Sequence, residues 1–199
     1  MNEKTSRVAL ILGAFLTGLV LFFAAILLVT GYAPSPVGQA VAAVGGPFQL
    51  QDQNGKAVTD ADMKGKPFLV FFGFTHCPDI CPTTLFDMSQ LMKELGSDAD
   101  RTGALFITVD PARDTPKVIK DYLSNFDPHL RGLTGEPAAI NAALRAYRVY
   151  AKKVPLENGD YTMDHTALVY LMDKNGRFIA PFDVSRTPAA EAADLRRYL

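Results

Sequence analysis

The sequence predicts an α/β domain on a largely parallel sheet with flanking helices, behind one N-terminal transmembrane helix. Three observations carry this. From Phe48 onward, compact apolar runs of strand length alternate with stretches of helical spacing. Ahead of them stands one uncharged run, Val8 to Val29. Between Arg7 and Asp52 there is no charged residue at all, so the start of the chain differs in kind from the rest.

Composition bounds the function. The 199 residues carry a formal net charge of −1, with 48% hydrophobic and 21% charged residues. That is a globular balance, and it excludes disordered and collagen-like classes. It also leaves no basic footprint for nucleic acid. Two cysteines exclude a disulfide-dense scaffold, and three histidines exclude a multi-metal histidine cluster.

Val8 to Val29 would rise about 33 Å as a helix, enough to cross a bilayer core of about 30 Å. A secretory signal has a shorter apolar stretch, so the length favours an uncleaved anchor. The small residues at Gln39-Ala40-Val41-Ala42-Ala43 keep cleavage open as the alternative. Lys4 and Arg7 precede the run, and the next basic residue is Lys56. The positive-inside bias then leaves the N-terminus in the cytoplasm and the domain in the periplasm, on the inner membrane. The expected layout is a cytoplasmic N-terminus at 1–7, an anchor at 8–29, a linker at 30–47 and the domain at 48–199. Pro and Gly mark the linker at Pro34, Pro36, Gly38, Gly45, Gly46 and Pro47.

Within the domain, Phe48 to Val58 reads as a hairpin turning at Asn54-Gly55. Phe68–Phe74 reads as a strand buried on both faces. Leu85, Met88, Leu91, Met92 and Leu95 give Thr83–Leu95 a helical stripe. Ala104–Val109 is a second buried strand. Thr115 or Asp114 caps a helix that has Pro116 in its first turn. Leu130–Thr134 is a strand, and Glu136–Tyr150 an Ala-rich helix. Ala167–Met172 and Arg177–Phe182 are strands joined by a turn over Asp173–Gly176, and Thr187–Leu199 closes the chain as a helix.

Chemistry concentrates in Phe74-Thr-His-Cys77-Pro-Asp-Ile-Cys81-Pro82, where a central strand ends and a helix begins. Ligands gather at that crevice in open α/β sheets. Cysteines four apart share one side of a helix, and the helix N-terminus favours thiolate. A structural disulfide closing three residues would constrain little. A soft thiolate pair suits copper, but needs a third donor. Of the histidines, His76 adjoins Cys77, His129 reads as a surface residue, and His165 stands beside Asp164 before an apolar strand. Asp164 either orients the site or caps the strand. Asp79 tunes the thiolates or keeps the loop wet. Arg113 pairs with a neighbouring Asp or raises thiolate character. Met88, Met92 and Met172 read as core, and Met163 stays a remote axial donor. Arg145, Arg148, Lys152 and Lys153 read as a solvated helix face and its exit.

Gly73-Phe-Thr-His-Cys-Pro-Asp-Ile-Cys-Pro82 resembles the copper motif of the Sco (SenC) family of copper chaperones. Thr108-Val-Asp-Pro-Ala-Arg-Asp-Thr-Pro116 resembles its second signature, and Asp164-His-Thr-Ala-Leu-Val-Tyr-Leu-Met-Asp173 its third. The resemblance implies a thioredoxin-like fold with an additional β-hairpin. It implies that Cys77, Cys81 and His165 bind copper, as Cu(I) or Cu(II). It implies a task at the CuA centre of cytochrome c oxidase subunit II, or at another periplasmic copper protein. A monomer needs no special feature. The competing reading is a membrane-tethered thiol–disulfide oxidoreductase, with Cys77 and Cys81 as its redox pair. Thioredoxin-type enzymes space their cysteines by two residues, whereas three stand here. A peroxidase would need an exposed thiolate beside an arginine.

Overall fold

The computed structural model describes residues 3–30, 44–157 and 159–199. The linker expected at 30–47 falls mostly outside the described residues, as does the alternative cleavage stretch at 39–43. The chain forms two compact units, divided near residues 41 and 42.

The first unit is α1, Glu3–Thr30. Within it, Leu10–Leu28 is long and apolar enough to cross a membrane, and none of it is buried. Leu, Phe, Ile, Val and Ala run round the whole circumference, so no polar face exists to meet water.

The second unit is built on a seven-stranded sheet. Its strands are β1 (Gln49–Asp52), β2 (Ala57–Thr59), β3 (Phe68–Gly73), β4 (Gly103–Thr108), β5 (Leu130–Thr134), β8 (Val169–Met172) and β9 (Phe178–Pro181). They lie in the order β2-β1-β5-β4-β3-β8-β9. β3, β4 and β5 run parallel, while β1 and β8 join them antiparallel. Every residue of β3 and β4 is buried. This is why both read as unbroken apolar runs rather than alternating ones. Four helices flank the sheet: α2 (Ile80–Leu95), α3 (Pro116–Leu123), α4 (Pro137–Ala146) and α5 (Pro188–Arg196). The expected fold class holds.

Local boundaries differ in three instructive places. α2 starts at Ile80, not Thr83, and so includes Cys81 and Pro82. Proline is harmless in a first turn, where its missing N–H has no partner to lose. α4 stops at Ala146, not Tyr150. Arg148 takes a left-handed φ of 58°, Arg148 N–H donates to Arg145 and Val149 N–H to Leu144. That is a Schellman stop with arginine where glycine is usual, so no glycine announced it. The residues that follow form β6 (Ala151–Pro155) and β7 (Tyr161–His165), a separate two-stranded hairpin. Lys152 and Lys153 therefore lie on a strand, not at a helix exit. β6 is mostly exposed and β7 mostly half-buried, and neither holds a fully buried residue, so neither shows a buried face in the sequence.

Among the described residues, the Tyr122 hydroxyl and the Glu191 carboxylate are buried without a partner, and of these the carboxylate costs more. Glu191 of α5 is 1% exposed, and neither carboxylate oxygen has a hydrogen-bond partner among the described residues. Burial pushes its pKa up to about 7, with Arg186, Asp87 and Asp183 the nearest charges. The folded chain therefore holds this proton more tightly than the unfolded chain does. Its contribution to stability is present below the ordinary glutamate range and is lost as pH rises toward about 7. Thermal unfolding should thus show stability falling between pH 5 and 7.5. Glu191→Gln should flatten that slope and stabilise the protein at pH 7.5, by on the order of 2 kcal/mol. An unchanged slope would remove Glu191 as its source.

Candidate metal centre

Two loops at the carboxyl ends of parallel strands and one hairpin build the site. The first follows β3 and carries Cys77 to the start of α2. Cys81 sits in the first turn of that helix. Both cysteines are free thiols, Cys77 half-buried and Cys81 fully buried. The Cys81 backbone N–H points at the Cys77 sulfur, 3.4 Å away. Gly73, the last residue of β3, makes room for this packing: a Cβ there would stand 2.9 Å from the Cys81 sulfur.

The second loop follows β4 and holds the first in place. Asp114 is fully buried. Its carboxylate accepts from the Thr75 hydroxyl at 2.6 Å, the Thr75 N–H at 3.1 Å and the Thr108 hydroxyl at 2.6 Å. The Thr134 hydroxyl donates to its carbonyl at 2.8 Å. One side chain thus ties the ends of β3 and β4 together, and its backbone is tied to β5. Burial drives its pKa up, against the pull of these bonds. The α3 cap falls to Thr115, whose hydroxyl accepts from Val118 N–H.

The third segment is the β6–β7 hairpin. Arg113 clamps it to the β4 loop. Its guanidinium meets Asp110 at 2.5 Å, donates to the Tyr161 carbonyl at 2.9 Å and lies 3.7 Å over the Tyr161 ring. Tyr161 in turn donates its hydroxyl to Asp110. β7 then runs from this clamp to His165. The His165 ring stands edge-on to Phe74 and Phe71. Its Nδ1 lies 3.0 Å from the Thr166 carbonyl. A carbonyl can only accept, so Nδ1 is the donor in this contact, and in the neutral imidazole Nε2 carries the lone pair. That Nε2 stands 3.7 Å from the Cys81 sulfur.

The fold thus brings Cys81 within reach of both Cys77 and His165, across 84 residues of sequence in the second case. Among the described residues, no three His, Cys, Asp or Glu side chains stand together closely enough to hold a metal ion as they are. The Cys81–His165 pair is in place, and Cys77 lies on the loop beside it.

Electrostatics corrects one expectation. Position at the helix N-terminus should favour thiolate, yet burial pushes the Cys81 thiol far above its ordinary range, and the neighbouring Cys77 and Asp114 push the same way. In a dry first turn the desolvation of a charged sulfur outweighs the dipole. Cys81 therefore holds its proton and can donate it to Nε2.

The remaining candidates sort cleanly. Asp164 is exposed, because β-strand alternation turns it away from His165; the Thr166 carbonyl orients the imidazole instead. Asp79 is exposed and makes no side-chain cap. His76 is exposed and bonded to the Thr75 hydroxyl. His129 joins Asp127 and Asp100 away from the cysteines. Met88, Met92 and Met172 are core, and Met163 packs against its edge. Arg113 commits its Nε and Nη1 to Asp110, Asp160 and the Tyr161 carbonyl, the ion pair with a neighbouring Asp that the sequence offered. Thr75, Gly73, Tyr161 and Thr166 are supporting residues that the sequence reading passed over. For Thr75, the signal was a hydroxyl residue at a strand's end, one position past a buried run.

Residues 37–199 match the SCO1/SenC family model. The copper-bound structure of Bradyrhizobium japonicum ScoI shares 65% identity, covering 79% of this chain and all of that one, with a TM-score of 0.77. The SCO2-like protein RP587 of Rickettsia prowazekii is 42% identical over 141 residues, 70% of this chain and 69% of that protein. BsSco, solved in work identifying a disulfide switch in the Sco family of cytochrome c oxidase assembly proteins, is 29% identical over 78% of this chain and 93% of that one, at a TM-score of 0.63. The chain spans about half the length of the yeast, plant and human mitochondrial relatives it matches. By matches that cover most of its length, the chain belongs to the SCO1/SenC family.

Proposed function

We propose that this chain is a membrane-anchored copper chaperone that carries copper as cargo and serves assembly of the CuA centre in cytochrome c oxidase subunit II. The observation that carries the reading is the Cys81–His165 pair: a soft sulfur 3.7 Å from an imidazole nitrogen whose lone pair is free. Sulfur and imidazole together suit Cu(I), and imidazole also suits Cu(II). Cys77 completes a set of two sulfurs and one nitrogen when its loop closes on the ion. The copper-bound relative supports the same reading. The reading extends to the layout: residues 1–7 in the cytoplasm, an anchor at 8–29, a linker at 30–47, and the domain from 48 to 199 in the periplasm, acting as a monomer.

The burial of Cys81 explains how binding is gated. The copper ion displaces the Cys81 proton to solvent, and the ion's positive charge replaces it against the thiolate. Oxidation of the two thiols to a disulfide removes both sulfurs, so copper loading needs reduced cysteines. A second reading, a thiol–disulfide reductase, draws on the close approach of Cys81 N–H to the Cys77 sulfur and on the disulfide switch described for BsSco. A reductase gives no role to His165.

Titrating the reduced protein with Cu(I) against a chromophoric competitor separates the two. One ion per chain should bind, and His165→Ala should weaken it by more than about 100-fold, beyond what loss of an outer-shell partner costs. The Cys77–Cys81 disulfide should still form in that variant. Copper binding indifferent to His165 would favour the reductase. Because both thiols give up their protons as they become copper ligands, affinity should also rise by up to about a hundredfold per pH unit from pH 6 to 8. Arg113→Ala frees the hairpin that presents His165, and should weaken Cu(I) by about tenfold with both cysteines intact. Unchanged affinity would show that His165 needs no clamp.

A further inference from the structure

The end of the domain opposite the cysteines carries a feature that copper binding does not use. A cleft of about 670 Å³ opens between the loop before β3, the β8–β9 turn and the C-terminus. Lys66, Arg101, Lys174, Arg177 and Arg197 line it, with Tyr198 beside them. Against these five cations stand Asp173 in the lining, and Asp98 and Asp194, which pair with Arg101 and Arg197. The domain as a whole leans the other way: setting aside Glu3, Lys4 and Arg7 leaves 18 basic and 20 acidic residues. With those pairs counted, the cleft carries a small excess of cations, whereas the domain as a whole leans acidic.

We propose that this cleft docks on the anionic phospholipid headgroups of the membrane that holds the chain. The inference rests on the reading of α1 as a membrane anchor. Three observations support the occupant. First, the chain joins the domain beside the cleft. Gly45 packs so closely on the β8–β9 turn that a Cβ there would lie 3.3 Å from the Gly176 carbonyl, and Gly65 N–H donates to the Lys174 carbonyl in the same turn. Residues 31–43 separate this point from the end of α1, and thirteen residues reach at most about 45 Å. The chain thus enters the domain at the edge of the cleft.

Second, the charges are available. Arg177 pairs with Asp173, Arg101 with Asp98 and Arg197 with Asp194, the arginines exposed and their carboxylates half-buried. Such pairs are weak and exchange readily for another anion. Lys174 has no carboxylate within ion-pair distance among the described residues. Third, Tyr198 is 41% exposed among the arginines. A ring with an apolar body and a polar tip suits the headgroup layer. Basic residues close to an anionic leaflet add up over a Debye length, so five of them within one cleft bias the orientation of a tethered domain. In that orientation Cys77, Cys81 and His165 face away from the lipid, open to a partner.

The full chain, placed in nanodiscs whose lipids include a gadolinium-chelating headgroup, tests this by amide relaxation. In discs of equal phosphatidylglycerol and phosphatidylcholine, amides of Lys66 and Lys174–Arg177 should relax at least about threefold faster than those of Thr75–Cys77. The ratio should fall to near one in phosphatidylcholine discs, at high salt, and in Lys174→Glu/Arg177→Glu. Equal relaxation at both ends in the anionic discs would overturn the proposal. So would a gradient that survives in neutral lipid or in the charge-reversed variant. A chain that does not co-migrate with the discs would overturn the anchor reading itself, and the docking with it.

Discussion

The site depends on one buried carboxylate. Asp114 sits where β3, β4 and β5 end, and its bonds to Thr75, Thr108 and Thr134 fix those ends relative to each other. Thr75 lies two residues before Cys77, so the cysteine loop leaves the sheet from a fixed point. No arginine or lysine balances this carboxylate; three donors do. A buried carboxylate held by hydrogen bonds alone is strongly directional, because each lost donor leaves an unsatisfied group in a dry setting. Arg113, one residue earlier, works outward and fastens the β6–β7 hairpin through Tyr161. Two adjacent residues thus set the two halves of the site, the sulfurs on one side and the imidazole on the other.

The same burial that orders the site also keeps it neutral. Cys81 lies in the core, against Gly73 at the end of an all-buried strand. Its thiol resists ionisation there. A soft cation brings its own charge and removes the reason for the resistance, whereas a proton-free thiolate alone has nothing to balance it. The half-buried Cys77 stands nearer to solvent and is the more accessible of the two.

Much of this was legible in the sequence, for physical reasons. Strands buried on both faces show as unbroken apolar runs, so Phe68–Gly73 and Gly103–Thr108 were plain, and Leu130–Thr134 was found to the residue. The two cysteines were found because so few candidates compete with them. The β6–β7 hairpin was not legible from residue patterning; only the family resemblance implied an extra hairpin, without placing it. Its strands bury little, its preceding helix ends on Arg148 rather than glycine, and its role is to carry one histidine. Asp164 misled because sequence adjacency suggests partnership, whereas neighbours on a strand point to opposite faces. Contacts such as Asp114 to Thr75, 39 residues apart, leave no local pattern to read.

The central claim is that two sulfurs and one imidazole meet on a single copper ion. X-ray absorption at the copper edge of the full chain loaded with one equivalent of Cu(I) reads that donor set directly. The account predicts two sulfur neighbours and one nitrogen neighbour, with the outer-shell scattering of an imidazole ring that vanishes in His165→Ala. Copper with sulfur neighbours only, or a spectrum unchanged by the loss of His165, would contradict it.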